Sequence, residues 1–184
     1  MKQNSKKAAF LDRDGVINKD LSYVFKTKDF IFNKDIFKLL KILLENNYLI
    51  FIVTNQSGIA RGLFSEKDYF KLTKYYKNLL EKEGINISGV YYCPHHPDFS
   101  NPPFNKCSCR KPDNGMFLDI QSKYKIDMGE SIAIGDSLRD LEPAYKCGVK
   151  KRILISNNIN RSKYITHRFS SVTETYEYFV NEKK

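Results

Sequence analysis

The stretch FLDRDGV, residues 10–16, places two carboxylates at the point where the first apolar run of the chain ends. Residues two apart in an extended chain point to the same side, so Asp12 and Asp14 face the same way, and Gly15 permits the sharp turn that follows. Two carboxylates this close repel each other unless a cation lies between them or one of them is protonated. Both arrangements serve catalysis, because Mg²⁺ prefers oxygen ligands and a carboxyl group of raised pKa can act as general acid and then as general base. The alternative is a solvated turn, in which Asp and Gly are common.

Outward from this stretch, short β-type runs alternate with amphipathic helical runs. The predicted strands are residues 7–11, 48–53, 90–93, 131–134 and 152–155, and the predicted helices are residues 34–45, 66–83, 116–124, 138–147 and 173–180. Ser65 and Asp68 form a partial capping box at the start of the second helix. The alternation predicts an α/β fold, a Rossmann-like parallel sheet with helices on both faces. A length of 184 residues allows one such domain, residues 1–184.

Polar residues also follow two later strands, and ligands of such sheets bind beyond the carboxyl ends of the strands. The sequence Thr-Asn-Gln-Ser at residues 54–57 follows the second strand, where a hydroxyl and several backbone N–H groups suit a phosphate oxygen. Asp136 and Asp140 follow the fourth strand, and Arg110 and Lys111 add two cations. If these strand ends converge, they surround one cavity.

The balance of charge is strongly basic, with 31 Lys and Arg against 21 Asp and Glu, a formal net charge of +10. Such a charge favours an anionic partner, whether nucleic acid, a membrane surface or a phosphorylated metabolite. The alternative is that the lysines reflect the composition of the coding DNA and only solvate the surface. The longest apolar run, residues 48–53, is too short to span a bilayer, and neither a secretory signal nor a lipidation motif is recognisable. We therefore expect a cytoplasmic protein with no membrane partner.

The segment from residue 93 to residue 112 lacks periodicity, is rich in proline and holds three of the four cysteines. Clustered cysteines in a reducing compartment indicate metal binding before disulfide formation, and Zn²⁺ takes four thiolate or imidazole ligands. Cys93, His95, Cys107 and Cys109 form such a closed set, which predicts a structural zinc site in a loop at about residues 93–111. His96 is an alternative to His95, and the competing interpretation is a loop of reduced cysteines.

Four motifs in chain order resemble those of the haloacid dehalogenase superfamily of phosphotransferases. They are Asp-x-Asp-Gly at residues 12–15, the strand-terminal Thr54, Lys111, and Gly-Asp-x-x-x-Asp at residues 135–140. Each motif alone is weak, but their order and their strand context make the match specific. The last aspartate, Asp140, is not assigned as a metal ligand.

This resemblance implies roles for the motif residues. Asp12 is expected to be the nucleophile that forms an aspartyl phosphate, and Asp14 the general acid and base. Thr54 and Lys111 are expected to stabilise the transferring phosphoryl group. A catalytic Mg²⁺ is expected to be held by Asp12, by the backbone carbonyl of Asp14 and by Asp136.

Three further segments narrow the resemblance within the superfamily. Residues 93–96 (Cys-Pro-His-His), 107–112 (Cys-Ser-Cys-Arg-Lys-Pro) and 54–62 resemble the D-glycero-D-manno-heptose 1,7-bisphosphate phosphatases, whose near relatives with the same zinc loop are histidinol-phosphate phosphatases. The resemblance runs from about Phe10 to Gly148. It implies removal of the 7-phosphate during the biosynthesis of nucleotide-activated heptose, a precursor of lipopolysaccharide or another surface glycan. It also implies a monomer without a large cap domain.

The same resemblance implies a set of substrate contacts. They are expected from Asp20, Tyr23, Thr54, Asn55, Gln56, Ser57, Arg110 and Lys111. By its position, Arg110 is expected to contact the end of the substrate that is not cleaved. The family often has Lys where this chain has Ser137, which leaves open the contact to the second phosphate, or the anomeric preference.

Three other functions compete with this interpretation. Histidinol-phosphate phosphatase shares the chemistry, and a polynucleotide 3′-phosphatase combines the chemistry with the basic charge. A zinc-stabilised basic nucleic-acid-binding module belongs to a different class, but it leaves the strand-end carboxylates unexplained and the lysines are spread through every predicted helix. We therefore expect a small phosphorylated sugar as substrate and no nucleic-acid partner.

Overall fold

In the part of the chain that the structure describes, residues 6–158 and 161–182 of a computed structural model, the predicted strands and helices all form. The strands are β1 Lys7–Leu11, β2 Tyr48–Asn55, β3 Gly89–Cys93, β4 Ile132–Gly135, β5 Lys151–Ile155 and β6 His167–Phe169. The helices are α1 Ile36–Glu45, α2 Glu66–Lys82, α3 Gly115–Tyr124, α4 Leu138–Lys146 and α5 Val172–Asn181. The capping box at Ser65 is confirmed, because Asp68 N donates to the Ser65 hydroxyl and Ser65 N donates to the Asp68 carboxylate.

The six strands run parallel in one sheet, in the order β3-β2-β1-β4-β5-β6. In the central strand, Leu11 lies opposite Ile52 of β2 on one side and opposite Ile134 of β4 on the other. Strands β2 and β3 are added in turn on one side of β1, and β4, β5 and β6 are then added in turn on its other side. Ligand crevices of open parallel sheets form where the strand order reverses in this way, beyond the carboxyl ends of the strands. The ends of β1, β2 and β4 therefore surround one crevice.

Alternate residues of β1 face two separate hydrophobic cores. Ala9 and Leu11 pack into a core shared with α1, α2 and α5, whereas Ala8 and Phe10 pack into a core shared with α3 and α4. Because the strand is buried on both faces, its sequence is a continuous apolar run rather than an alternating one. The predicted fold class, a parallel sheet with helices on both faces, is confirmed.

The structure differs from the sequence prediction at two strands. The edge strand β6 was not predicted, because three residues with polar His167 and Arg168 carry no apolar periodicity. Its backbone pairs with β5, a contact that local pattern does not encode. Strand β2 also continues two residues further than predicted, because Thr54 and Asn55 pair with the last two residues of β3.

The connections beside the crevice are loops in the described residues. Residues 12–35 contain one short 3₁₀ turn at Thr27–Asp29, residues 56–65 form a loop, and residues 94–114 contain another turn at Phe104–Lys106. The expected absence of a large cap domain is confirmed for this part of the chain. No helix within residues 6–158 and 161–182 combines the length and the apolar character that crossing a membrane requires.

Candidate active site

Three carboxylates meet at the ends of the two central strands. Asp12 follows β1, Asp136 follows β4, and Asp140 lies in the first turn of α4; one oxygen of each lies within 4.8 Å of the others. The register of β1 and β4 sets this proximity, since Asp12 N donates to Ile134 O at 3.0 Å. Gly15, at φ +87°, completes the turn, and a Cβ atom there would overlap the Asp136 carboxylate. Both the positive φ angle and the closeness of the Asp136 side chain therefore require glycine at position 15.

Lys111 provides the ammonium group that faces these carboxylates. Its side chain is 2% exposed, and Nζ lies 2.7 Å from Asp12 Oδ1, 2.7 Å from Asp140 Oδ1 and 2.7 Å from the carbonyl oxygen of Val53. An ammonium group has three protons, so all three are used. Burial by itself would lower the pKa of Lys111, but the charges of Asp12 and Asp140 outweigh burial and raise that pKa above its ordinary value.

One ammonium does not balance the two buried carboxylates of Asp12 and Asp140 and the half-buried carboxylate of Asp136. Burial raises the pKa of Asp12 to about 7, against the opposing effect of Lys111 and with the help of Asp140 and Asp14. Burial likewise raises the pKa of Asp136 to about 8, and the charges of Asp12 and Asp140 add to it. A group of carboxylate oxygens that needs additional positive charge matches the preferences of Mg²⁺. The residues present therefore fit a hard divalent cation.

Three side chains hold the carboxylate of Asp14 in place. Its carboxylate accepts hydrogen bonds from Arg13 Nη2 at 2.7 Å, Asn18 Nδ2 at 3.0 Å and Gln56 Nε2 at 3.1 Å. Arg13 is 1% exposed, and its Nη2 also donates to the carbonyl oxygen of Val24 at 2.9 Å. Arg13 thus ties Asp14 to the loop that carries the predicted substrate residues. Our sequence reasoning did not single out Arg13, although a charged residue between two aspartates was a visible signal.

Side chains at the end of β2 hold the Thr54 hydroxyl and the backbone of Lys111 in place. Gln56 Nε2 donates to Thr54 Oγ1 at 2.9 Å, and Thr54 is 1% exposed. The side chain of Asn55 makes a reciprocal pair with the backbone of Lys111, with Nδ2 donating to the Lys111 carbonyl at 2.9 Å and Lys111 N donating to Oδ1 at 3.1 Å. Asn55 therefore fixes the position of the lysine in addition to lining the cavity.

The predicted zinc ligands come together at the end of β3. Cys93 Sγ lies 3.5 Å from Cys107 Sγ and 3.0 Å from Cys109 Sγ, and Cys109 Sγ lies 3.4 Å from His95 Nδ1. All four ligand atoms lie within 4.8 Å of one another, and the cysteines are free thiols. Burial raises the pKa of the Cys93 thiol, so a thiolate there requires a cation. Three sulfurs and one imidazole nitrogen are the donor set of a structural zinc site, and these residues fit it.

His96 lies outside this group of ligands. Its Nε2 is 2.9 Å from Arg61 Nη2, and its ring packs edge-on against Phe99. Arg110 is anchored to the zinc loop itself, because its Nη1 donates to the carbonyl oxygen of His95 at 3.0 Å. The loop therefore carries both Arg110 and Lys111 toward the crevice.

A cavity of about 250 Å³ opens at the carboxyl ends of the strands. Its lining includes every residue predicted to bind substrate or act in catalysis, namely Asp12, Asp14, Asp20, Tyr23, Thr54, Asn55, Gln56, Ser57, Arg110 and Lys111. Asp136 lies beside the cavity through its contact with the other carboxylates. Three further lining residues, Ser22, Arg139 and Asp140, were not predicted to contact substrate. Ser22 lies between the predicted contacts Asp20 and Tyr23, and Arg139 occupies one of the unspecified positions of the Gly-Asp-x-x-x-Asp motif, so neither position carried a signal of its own.

A parallel sheet with this strand order, carrying aspartates beyond its two central strands and a buried lysine against them, defines a haloacid dehalogenase-like phosphatase. The profile of the family described as polynucleotide kinase 3 phosphatase matches residues 7–166. Among solved structures, D,D-heptose 1,7-bisphosphate phosphatase from B. bronchiseptica, complexed with magnesium and phosphate, is similar with a TM-score of 0.83 and 29% identity, over 96% of this chain and 99% of that chain.

Curated relatives share more of the sequence. The D-glycero-alpha-D-manno-heptose-1,7-bisphosphate 7-phosphatase of Campylobacter jejuni is 41% identical over 94% of this chain and 95% of its own length. The corresponding enzyme of Photorhabdus laumondii is 43% identical over 84% of this chain and 85% of its own. The D-glycero-beta-D-manno-heptose-1,7-bisphosphate 7-phosphatase of Haemophilus ducreyi is 45% identical over 82% of this chain and 83% of its own. The chain therefore belongs to this family of phosphatases, which are phosphoric monoester hydrolases.

Proposed function

We propose that this chain removes the 7-phosphate of D-glycero-D-manno-heptose 1,7-bisphosphate in a Mg²⁺-dependent reaction that passes through an aspartyl phosphate on Asp12. The observation that carries the proposal is the contact between the Asp12 carboxylate and the Lys111 ammonium, 2.7 Å, at the edge of an open polar cavity. Relatives that are 41–45% identical and carry this activity in their names support the choice of substrate. In this proposal a cytoplasmic monomer supplies an intermediate for nucleotide-activated heptose.

Asp12, Asp136 and the backbone carbonyl of Asp14 are the groups that would hold Mg²⁺. When bound, the ion supplies the positive charge that lets an anionic carboxylate approach an anionic phosphate. Asp140 is already engaged, since Lys111 Nζ and Ser137 N both contact its carboxylate. We therefore place Asp140 as a support for Lys111 and for the neighbouring carboxylates.

Side chains carry out the nucleophilic attack, the proton transfers and the stabilisation of the phosphoryl group. An Asp12 oxygen attacks phosphorus, the bond from phosphorus to the sugar oxygen breaks, and Asp14 gives that oxygen a proton. Asp14 then takes a proton from water, which attacks the aspartyl phosphate and releases inorganic phosphate and the free Asp12 carboxylate. The Thr54 hydroxyl holds a phosphoryl oxygen as charge develops on it. The Lys111 ammonium turns the proton that it gives to Asp12 toward a phosphoryl oxygen as Asp12 loses its charge in the aspartyl phosphate.

The rest of the lining recognises the sugar. Asp20 and Tyr23 are exposed on the loop that Arg13 ties to Asp14, and we assign them to the hydroxyl groups of the substrate. Gln56 and Ser57 follow Thr54 at the end of β2 and face the same cavity. Zn²⁺ at Cys93, His95, Cys107 and Cys109 would have a structural role, because four protein ligands leave no open position.

A phosphate-release assay with Mg²⁺ tests the proposal. The substrates are both anomers of the heptose bisphosphate, histidinol phosphate and a 3′-phosphorylated oligonucleotide. We expect kcat/KM to be highest for one anomer of the heptose bisphosphate. We also expect activity to be absent when Mg²⁺ is withheld from the zinc-loaded protein and to return when Mg²⁺ is added. A higher kcat/KM for histidinol phosphate would overturn the substrate assignment.

The oligonucleotide tests a second candidate. The name of the matching family profile and the net charge of +10 favour a polynucleotide 3′-phosphatase. That function requires turnover of the oligonucleotide that falls steeply as salt is raised, because phosphate contacts release counterions. Turnover of the heptose bisphosphate without turnover of the oligonucleotide would exclude it.

A further inference from the structure

The turn after β4 lacks a cation directly after its first aspartate. Ser137 occupies that position, and its backbone N–H donates to Asp140 Oδ2 at 3.0 Å as α4 begins. A serine in this place offers a bound phosphate one hydroxyl and no charge. The positive charge on this wall of the cavity comes instead from Arg139, two residues further along.

Three cationic side chains line the cavity, and they differ in how far they are already occupied. Lys111 is buried and has its three protons directed at Asp12, Asp140 and Val53 O. Arg110 gives one N–H to the carbonyl oxygen of His95. Arg139 is exposed, and within residues 6–158 and 161–182 its guanidinium forms neither an ion pair nor a hydrogen bond. A cavity wall thus holds a guanidinium whose donors are all free for a ligand.

The proposed substrate carries two phosphates, and the Asp12–Lys111 pair serves only the one that is cleaved. A guanidinium is planar and presents parallel N–H donors that match two oxygens of one phosphate. We propose that Arg139 binds the phosphate that is not cleaved, together with Arg110, and thereby makes the cavity selective for a bisphosphate over a monophosphate. This inference rests on the proposed function. It assigns to Arg139 the positive charge that Ser137 lacks on this wall of the cavity.

A purely electrostatic effect of Arg139 on Asp136 can be distinguished from a direct contact to the second phosphate. Its charge lies close enough to oppose the rise in the pKa of Asp136. An effect exerted through Asp136 would change the turnover of every phosphate ester alike. A direct contact to the second phosphate changes KM, and only for substrates that have a second phosphate.

The experiment compares R139A and R139K with the wild type in the full-length, metal-loaded protein. Two substrates are used, the preferred anomer of the heptose bisphosphate and p-nitrophenyl phosphate, which has no second phosphate. R168A is the matched control, because Arg168 is an exposed arginine on β6 that bonds Asn158 O and does not line the cavity. Thermal melting of each variant checks folding.

We expect R139A to lower the ratio of kcat/KM for the bisphosphate to kcat/KM for p-nitrophenyl phosphate by about 10- to 100-fold, the usual value of a charge-assisted hydrogen bond. The change is expected in KM, with R139K between R139A and the wild type and R168A unchanged. An unchanged ratio in R139A, in an enzyme that prefers the bisphosphate, overturns the role of Arg139 and leaves the proposed function standing. A wild type with no preference for the bisphosphate overturns both.

Discussion

Two regions of the molecule bring charged side chains to one cavity by different physical means. The carboxylates stand at the ends of β1 and β4, where strand register and the backbone bond from Asp12 to Ile134 set their separation. Arg110 and Lys111 lie on the loop of residues 94–114, which has no regular structure beyond a short 3₁₀ turn. Strand pairing holds its shape without a ligand, whereas ordering a loop of this length costs backbone entropy that cross-links must offset. The carboxylate half of the site is therefore built into the sheet. The cationic half depends on Asn55 and on the cluster of Cys93, His95, Cys107 and Cys109, which fits a zinc ion.

The largest expected effect on turnover follows from replacing the nucleophile, Asp12, at the end of β1. Asp12→Asn keeps the size of the side chain but cannot form the aspartyl phosphate, so turnover falls by about 10³-fold or more. Phosphate release at saturating Mg²⁺ measures it, and circular dichroism serves as the control for folding. A variant that retained substantial turnover would exclude the covalent mechanism.

The second prediction removes the contact between the carboxylates of the sheet and the lysine of the loop. Lys111→Met leaves Asp12 and Asp140 buried without their cation, which lowers the free energy of unfolding by about 3 kcal/mol and turnover by about 100-fold or more. Urea denaturation and phosphate release measure the two effects. Lys106→Met, an exposed lysine on the same loop, is the matched control. A K111M protein as stable as K106M would mean that the lysine does not balance the carboxylates.

Removal of zinc tests the loop side alone. Chelation followed by restored Mg²⁺ is expected to lower Tm by about 10 °C, which for a chain of this size is about 3 kcal/mol, and to lower turnover about tenfold. Both fall because the ligand Cys109 lies two residues before Lys111. The measurements are calorimetry, metal analysis and phosphate release. Full turnover in a protein verified to lack zinc would show that the sheet alone positions the lysine.

The smallest effect tests the hydrogen bonds that join the two regions. Asn55→Ala removes the two bonds to the Lys111 backbone, which costs about 2 kcal/mol of stability and lowers turnover several-fold while zinc content stays unchanged. Asn101→Ala, an exposed asparagine in the loop, is the control. Because Asn55 and the zinc act on the same lysine, their effects should be non-additive. Strictly additive losses would argue that the two cross-links are independent.

The comparison of the two regions also explains how far sequence reasoning reached. Buried strands and capped helices are written in local patterns, so β1 to β5 and α1 to α5 were predictable to within about two residues. The cysteine spacing and the aspartate motifs are likewise local, and they predicted which side chains cluster and which line the cavity. Strand β6 was missed because its three residues join the sheet by backbone pairing with β5.

Residues whose function depends on distant partners could not be predicted in the same way. Arg13 bonds its neighbour Asp14, but its second bond, to Val24 O 11 residues away, is not encoded by the residues beside it. Asn55 was expected to face substrate, but its bonds to the Lys111 backbone span 56 residues. Arg139 stands at an unspecified position of the Gly-Asp-x-x-x-Asp motif, and only the folded cavity shows that its side chain lines the wall.

The sequence by itself determined the fold class, the four motifs and the set of candidate metal-binding side chains, because each depends on periodicity or spacing over a few residues. Only the tertiary structure decided which charges meet. It placed Lys111 against Asp12 across 99 positions of the chain, assigned Asp140 to that lysine, and left the Arg139 guanidinium free among the described residues. Coulomb energies depend on distance and burial, and neither quantity exists until the strands have packed.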